Sequence, residues 1–433
     1  MRNTEEPIIL KKRETPQDRR RRRMLWVTIT LALLAGMVAV AALFGRFLFL
    51  HQQPGVGIAS RLNGTERAVP PLPLKHPEEQ ELEQAVDNYI ANMSLDDELG
   101  QMIQVQFVGP GLGNVLSLPA SWRAELGRVH VGSVILYWYN VQTQSQVQAL
   151  TESLQAPDIA PNIPLLIATD AEGGEVDNLR HIYGYSPTAA SLGESLNPQN
   201  AYNWGKLDAE HLKSVGINAD LAPVVDVKTV SDPSISQRMY STDPTVVTSM
   251  ASAFIDGLHS QGMLDTLKHW PGIGWSAVDA HDTLPVSDRS RADLDRLDFA
   301  PYKALLSSGK VDMVMSTHVL LTSIDPNMPS SLSPILINGI LRQQLGFQGV
   351  VITDALYMGA LTQKYSMAES AVLAVIAGND ILSSFYNPGG VEQVLAALHH
   401  AIDTGLISKA RIDQSVKRIL LLKLHYGLFT LPG

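Results

Sequence analysis

Five ionisable sites in this sequence each follow a short apolar run. Asp170 follows Leu165-Leu166-Ile167-Ala168-Thr169 and Asp226 follows Pro223-Val224-Val225. Lys268 and His269 follow Leu264 to Leu267, His318 follows Val314 to Thr317, and Asp354 follows Val350 to Thr353. Carboxylates and imidazoles are the side chains that attack electrophilic carbon or move protons near neutral pH. Any one of these aspartates also fits a helix N-cap, but the recurrence of the same placement points to a shared face. A sixth place, Asp279-Ala280-His281, has a different logic. In an extended loop this two-residue spacing brings the carboxylate to one ring nitrogen and leaves the other free for proton transfer. Taken alone, such a loop pair is more often structural or solvated.

The elements that must position these residues are short. Gly132–Leu136, Pro164–Thr169, Ala219–Val225, Met263–Lys268, Val311–Ser316, Gly349–Thr353 and Asn379–Leu382 read as strands. Helical stretches lie between them, among them Pro244–Gln261, Asp293–Ser308 and Met367–Ala377. A last helix is capped by Ser408, with Ile412, Val416, Ile419 and Leu420 on one face. This alternation predicts an α/β fold, a (β/α)8 barrel of the TIM type, rather than an open sheet. In such a barrel the C-terminal strand ends converge on one face, which is where the ionisable residues fall.

The chain has 433 residues, is 45% hydrophobic and carries a net charge of −10. Residues 1–23 hold nine Lys/Arg against four Asp/Glu, so the remainder is more acidic than the total, which argues against binding a phosphate backbone. No cysteine is present, which excludes disulfides, thiolate metal sites, thiol nucleophiles and a lipidated cysteine. Arg19 to Arg23 precede the uncharged run Met24–Phe44, long enough to span a membrane. The arginines place the body outside the cytoplasm by the positive-inside rule. A cleaved signal ending near Ala41 is the alternative, and both readings export the body. The expected organisation is a basic cytoplasmic tail over 1–23, a transmembrane anchor over 24–44, a Pro/Gly-rich linker over 45–80 and the barrel over 81–433. Asn63-Gly64-Thr65 is read as a flexible turn rather than a glycosylation site, and Gly109-Pro110-Gly111 as a turn.

No phosphate-binding loop, dinucleotide fingerprint or zinc-protease helix motif occurs. What remains is a carboxylate-rich face suited to splitting a glycosidic bond. The segment Lys268-His269-Trp270-Pro271-Gly272-Ile273-Gly274, followed by Asp279-Ala280-His281, resembles the signature of the bacterial β-N-acetylhexosaminidase branch of glycoside hydrolase family 3. Around it, in matching order, stand Asp170-Ala171-Glu172-Gly173-Gly174, Ala222-Pro223-Val224-Val225-Asp226-Val227, Met315-Ser316-Thr317-His318 and Pro329-Ser330-Ser331-Leu332-Ser333. The order ends on Leu345 to Met358, and the resemblance extends over residues 85–433.

The resemblance implies that Asp354 is the nucleophile, His281 the general acid/base and Asp279 the residue that orients and charges His281. It also implies that Asp170, Arg238, Lys268, His269 and His318 contact the sugar. The implied reaction is a retaining, exo-acting removal of terminal β-linked N-acetylglucosamine from cell-wall or chitin-type oligosaccharides, with no metal or cofactor. An imidazole repels anions less than a carboxylate would, which makes phosphate an alternative acceptor to water. Two positions depart from the family pattern: Ile273 stands where a second loop histidine is usual, and Glu175 where an arginine is usual. A β-glucosidase or β-xylosidase is the nearest alternative, although such relatives usually take a glutamate acid/base from a second domain, which is not expected here. A tethered carbohydrate-binding protein without activity is the other.

Overall fold

The computed structural model describes residues 77–107, 113–230 and 236–432. The basic tail, the apolar run 24–44, Asn63-Gly64-Thr65, the linker up to residue 76 and Gly109-Pro110-Gly111 lie outside the described residues. Among those described, no helix is long and apolar enough to cross a membrane. All the described residues belong to one compact unit.

The apolar runs form parallel strands because both of their faces are covered. Val350-Val351-Ile352-Thr353 is buried at every position, as expected of a strand with helices outside and other strand side chains inside. In chain order the strands are β1 (Ile103–Val105), β2 (Ser133–Leu136), β3 (Leu166–Thr169), β4 (Ala219–Asp220), β5 (Thr266–Trp270), β6 (Met313–Ser316), β7 (Val350–Thr353) and β8 (Leu382–Phe385). One parallel sheet runs β8-β1-β2-β3-β4 and another β5-β6-β7. Parallel bridges Ala219 to Leu264 and Val224 to Lys268 join β4 to β5, and Ile352 to Ile381 joins β7 to the approach of β8. Among the described residues the pairings therefore return to their start through eight strands.

Helices lie between successive strands: α1 (Pro77–Ile90) and α2 (Leu95–Gln101) come first, α3 (Ala120–Val129) precedes β2 and α4 (Gln144–Leu154) precedes β3. The long α5 (Pro198–Ser214) and α6 (Pro244–His259) flank β4, and α6 is started by Asp243, whose side chain accepts the N–H of Thr245, with Pro244 in the first turn. Asp293–Ser308 forms two helices rather than one, α7 (Arg291–Arg296) and α8 (Phe299–Leu306). They separate at Asp298, whose buried carboxylate turns to Arg289 at 2.8 Å. Then follow α9 (Ile335–Gln344), with π-type hydrogen bonding, α10 (Gly359–Thr362), α11 (Met367–Ala377), α12 (Pro388–Asp403) and α13 (Lys409–His425). In α13, Ser408 caps Arg411 and Ile412, Val416, Ile419 and Leu420 are buried, as the periodicity predicts.

Four strands differ from the sequence reading: β4 covers only Ala219–Asp220 of the expected Ala219–Val225, β5 runs Thr266–Trp270 rather than Met263–Lys268, and β1 and β8 depart as follows. β1 has no apolar run: Gln104 lies within it and Gln106 directly follows it, and both are buried. Gln104 donates to Ser133 Oγ at 2.9 Å and accepts from Ser383 Oγ at 2.6 Å, so its amide ties β1 to both neighbours. β8 begins later than expected, because Asn379 and Asp380 are a buried polar hub ahead of the strand, and the strand itself runs through Ser383.

Candidate active site

The strand ends place their ionisable residues around one cavity of about 340 Å³. Its lining includes Asp170, Glu172, Arg238, Lys268, His269, Asp279, His281 and Asp354. Lys268 and His269 are neighbours, and regular pleating would send them to opposite faces. The β5 register shifts between Leu267 and Trp270, and this irregularity lets both reach the cavity. Trp270 turns outward instead, stacked on Phe299 at 4.9 Å and edge-on to Tyr302 at 5.0 Å. Burial of such an anchor stabilises by about 3–5 kcal/mol on truncation scales and fixes the strand end. Gly272 then turns the chain with φ +107°, where a Cβ would also lie 2.8 Å from Asp298.

Lys268 bridges two carboxylates, with Nζ 2.6 Å from Asp170 Oδ1 and 2.6 Å from Glu172 Oε1. Arg238 clamps Glu172 through two parallel bonds of 2.6 and 2.7 Å. Burial disfavours the charge on Glu172, but Arg238 and Lys268 outweigh it and hold its carboxyl well below the usual range. Lys268 is raised above its usual value: burial works against it, and the charges of Asp170 and Glu172 prevail. Asp226 accepts from His269 Nδ1 at 2.8 Å, which leaves His269 Nε2, 3.4 Å from Arg238 Nη2, on the other side of the ring. The second Asp226 oxygen accepts the N–H of Ile273 at 2.9 Å.

Asp354 is gripped at both oxygens: Thr317 Oγ1 donates to Oδ2 at 2.8 Å and the Ala355 N–H to Oδ1 at 2.8 Å. Its recessed position raises its pKa, but the imidazoles of His318 and His269 and the Ala355 N–H more than compensate, and it lies below the ordinary carboxylate range. An ionised carboxylate at a strand end is the form that can attack carbon.

Opposite β7, the loop after β5 carries Asp279 and His281. One oxygen of Asp279 accepts both the His281 N–H at 2.8 Å and His281 Nδ1 at 2.7 Å. Nε2 is therefore the nitrogen left for a substrate. Asp279 is shifted below its usual value; burial opposes this, and its bonds to His281, first the N–H and then the ring, bring it about. Both side chains are well exposed, so the pair gives orientation more than stability.

Seven of the eight residues expected in the site line this one cavity. His318 does not. It is fully buried behind Asp354, with Nδ1 bonded to Ser331 Oγ at 2.7 Å and Nε2 donating to the Ala355 carbonyl at 3.1 Å. Burial pushes its pKa down, against the pull of the Asp354 charge and of its bond to the Ala355 carbonyl. Glu172 and Thr317 belong to the arrangement although the sequence reading assigns them no role, and Asp226, named there as a strand-end residue only, holds His269. Glu172 was signalled by its place two residues after Asp170, and Asp226 by its strand end. Ile273 lines the cavity, whereas Glu175 is exposed and pairs with Arg180 at 3.2 Å.

Among the described residues, the group able to hold a metal ion is His259, Asp265 and Asp312. It stands at the opposite ends of the strands, ahead of β5 and β6. One oxygen of each carboxylate is already engaged: Asp265 Oδ1 accepts His259 Nε2 and the Asp312 N–H, and Asp312 Oδ2 accepts His259 Nε2, the Asp265 N–H and the Tyr426 hydroxyl. The group pins strand starts together.

Residues 94–422 match the family described as the glycosyl hydrolase family 3 N terminal domain. A β-hexosaminidase of Tolumonas auensis is 35% identical over 285 residues, covering 65% of this chain and 84% of that protein. One from Nitrosomonas eutropha is 31% identical, covering 72% and 91%. A solved family 3 β-N-acetylglucosaminidase from Paenibacillus superposes with a TM-score of 0.72 at 34% identity. That match covers 78% of this chain and 63% of the Paenibacillus chain, so the present sequence spans under two thirds of that enzyme.

Proposed function

From the premise that this chain belongs to glycoside hydrolase family 3, we propose that it is a retaining, exo-acting β-N-acetylhexosaminidase. The observation that carries this reading is the meeting, in one cavity, of an ionised carboxylate fixed at both oxygens and a histidine whose Nδ1 is held by its own aspartate.

In the first step Asp354 attacks the anomeric carbon while His281 Nε2 gives its proton to the departing oxygen. Asp279 stabilises the imidazolium that this requires. In the second step Nε2 takes a proton from water, which displaces Asp354, and two inversions restore the starting configuration. Asp170, Lys268, His269 and Arg238 bind the sugar from the facing wall, and Glu172 sets the spacing of the two cations. His318 acts through Asp354 rather than on the sugar. The circuit of eight strands is read as the (β/α)8 barrel.

Substrates of the class are terminal β-linked N-acetylglucosamine units on cell-wall or chitin-type oligosaccharides, and residues 24–44 are read as the anchor that holds the domain outside the membrane. Assay of the full chain on matched aryl N-acetyl-β-glucosaminide, β-glucoside and β-xyloside tests the activity. The first should be cleaved with retention and at least about tenfold preference. Equal or better cleavage of the glucoside would overturn the substrate assignment, and inversion would overturn the mechanism.

A further inference from the structure

The loop that carries His281 has little burial of its own: residues 277–279 and 281–283 are exposed, and Ala280 is the buried exception. Its position is set by contacts with the segment that follows the nucleophile. The Gly359 N–H donates to the His281 carbonyl at 2.8 Å and the Ala360 N–H to the Ala280 carbonyl at 3.1 Å. Gln363 Nε2 reaches the Asp282 carbonyl at 2.7 Å. Beneath these bonds Ala280 packs with Ala355, Met358 and Ala360, and Leu284 and Tyr357 close over them.

Gly359 has no left-handed φ, so the turn itself does not call for glycine. The contact does. A Cβ at Gly359 would stand 2.3 Å from the Asp282 carbonyl oxygen and 2.7 Å from that of His281, both main-chain atoms that cannot yield unless the loop moves. Five residues upstream the same segment begins at Asp354, whose Oδ1 is bonded to the Ala355 N–H.

We propose that Gly359 is a positioning residue for the reaction: its N–H and its missing side chain seat the His281 loop on the Asp354 segment, so that acid/base and nucleophile are registered by one short main-chain strut. This rests on the roles given above to His281 and Asp354. It requires that loosening the strut remove proton transfer while leaving covalent attack intact.

The test compares the full-length wild type with Gly359→Ala and the milder Gln363→Ala on two substrates. N,N′-diacetylchitobiose has a poor leaving group that needs the proton, whereas 2,4-dinitrophenyl N-acetyl-β-D-glucosaminide needs little help. For Gly359→Ala, kcat/KM should fall at least about thirtyfold on the first and under about threefold on the second, and Gln363→Ala should give a smaller loss of the same kind. On the dinitrophenyl glycoside kcat of Gly359→Ala should fall although kcat/KM barely changes, because the second step still needs the base, and azide, a nucleophile that needs no base, should restore it by displacing Asp354 to give the glycosyl azide. Equal losses on both substrates without response to azide would show a merely structural glycine and overturn the proposal.

Hydrogen exchange supplies a readout independent of the substrate. Peptides covering 276–284 and 355–363 should exchange faster together in Gly359→Ala while the remainder is unchanged. Unaltered exchange in the loop would overturn the strut. A wild type that cleaves neither glycoside would refute the hexosaminidase reading and leave the exchange result to decide this one.

Discussion

At one end of the strands Lys268 lies between Asp170 and Glu172, and Arg238 between Glu172 and His269. At the other, Arg342 lies fully buried among the carbonyls of Phe347, Gly349 and Gly378 and the carboxylate of Asp380. Both ends hold ionic groups out of water, and both carry strongly perturbed residues: burial brings Arg342 down to about 9, and Lys423, bonded to Gln101 and the Gly132 carbonyl, down to about 7. The difference lies in what the groups face. The lower network is closed on itself, with Arg411 and Arg418 also turned to Asp380. The upper one lines a cavity with groups whose partners occupy only one side. Burial and perturbed charge therefore do not locate an active site; ionic groups turned toward an accessible cavity do.

The sharpest way to break this contrast is to remove one aspartate from each end. Asp354→Ala should lower kcat by roughly 10⁴- to 10⁶-fold on every substrate, activated ones included, with the melting temperature nearly unchanged. Asp380→Ala should do the reverse. It leaves the Arg342 guanidinium buried without its carboxylate, which costs about 3–5 kcal/mol of stability, while the folded fraction keeps wild-type kcat/KM. Denaturation alongside active-site titration separates the two, and a stable, inactive Asp380→Ala would undo the distinction.

Within the upper end, His281→Ala should lose about 10²- to 10⁴-fold in kcat/KM on chitobiose-type leaving groups and far less on dinitrophenyl ones. Asp279→Asn should follow the same pattern more weakly, since it keeps the ring but not the charge. Equal losses across leaving groups would mean that His281 does not transfer the proton. Smaller again is Glu172→Gln: loss of one carboxylate between two cations should raise KM about tenfold with a modest change in kcat, and an unchanged KM would remove Glu172 from the sugar wall.

The smallest effect belongs to the lower end and to pH. Burial works against the charge of His259, but its hydrogen bonds to Asp265 and then Asp312 prevail and push it up to about 10. A cation whose folded pKa is raised contributes fully below its unfolded value near 6.5 and ceases to contribute as pH rises through about 10. Melting temperature should thus decline between those limits, and His259→Gln should flatten the decline. Parallel profiles for the two proteins would show that the pin is not ionic.

Much of this is legible in the sequence because polar residues at the ends of apolar runs announce themselves: Asp170, Lys268, His269 and Asp354 need only the strand pattern to be placed together. Residues inside the ring did not announce themselves. Gln104 breaks the apolar pattern of β1 because its amide bonds neighbouring strands, and Asn379 and Asp380 read as the start of β8 because a buried hub and a strand both follow an apolar helix. His318 shows a third limit. Its strand-end position resembles that of Asp354, but which side chain reaches the cavity depends on packing by Ser331 and Ala355, distant or later in sequence.

The two bonds on Asp354 bear on the balance between the halves of the catalytic cycle. A carboxylate that shares its electron density with the Thr317 hydroxyl and the Ala355 amide is a weaker nucleophile than a free one, but when it must depart from the sugar it is a better leaving group. The same grip that slows formation of the ester speeds its breakdown. On the proposed mechanism, Thr317 thereby sets how long the enzyme stays covalently loaded between one sugar and the next.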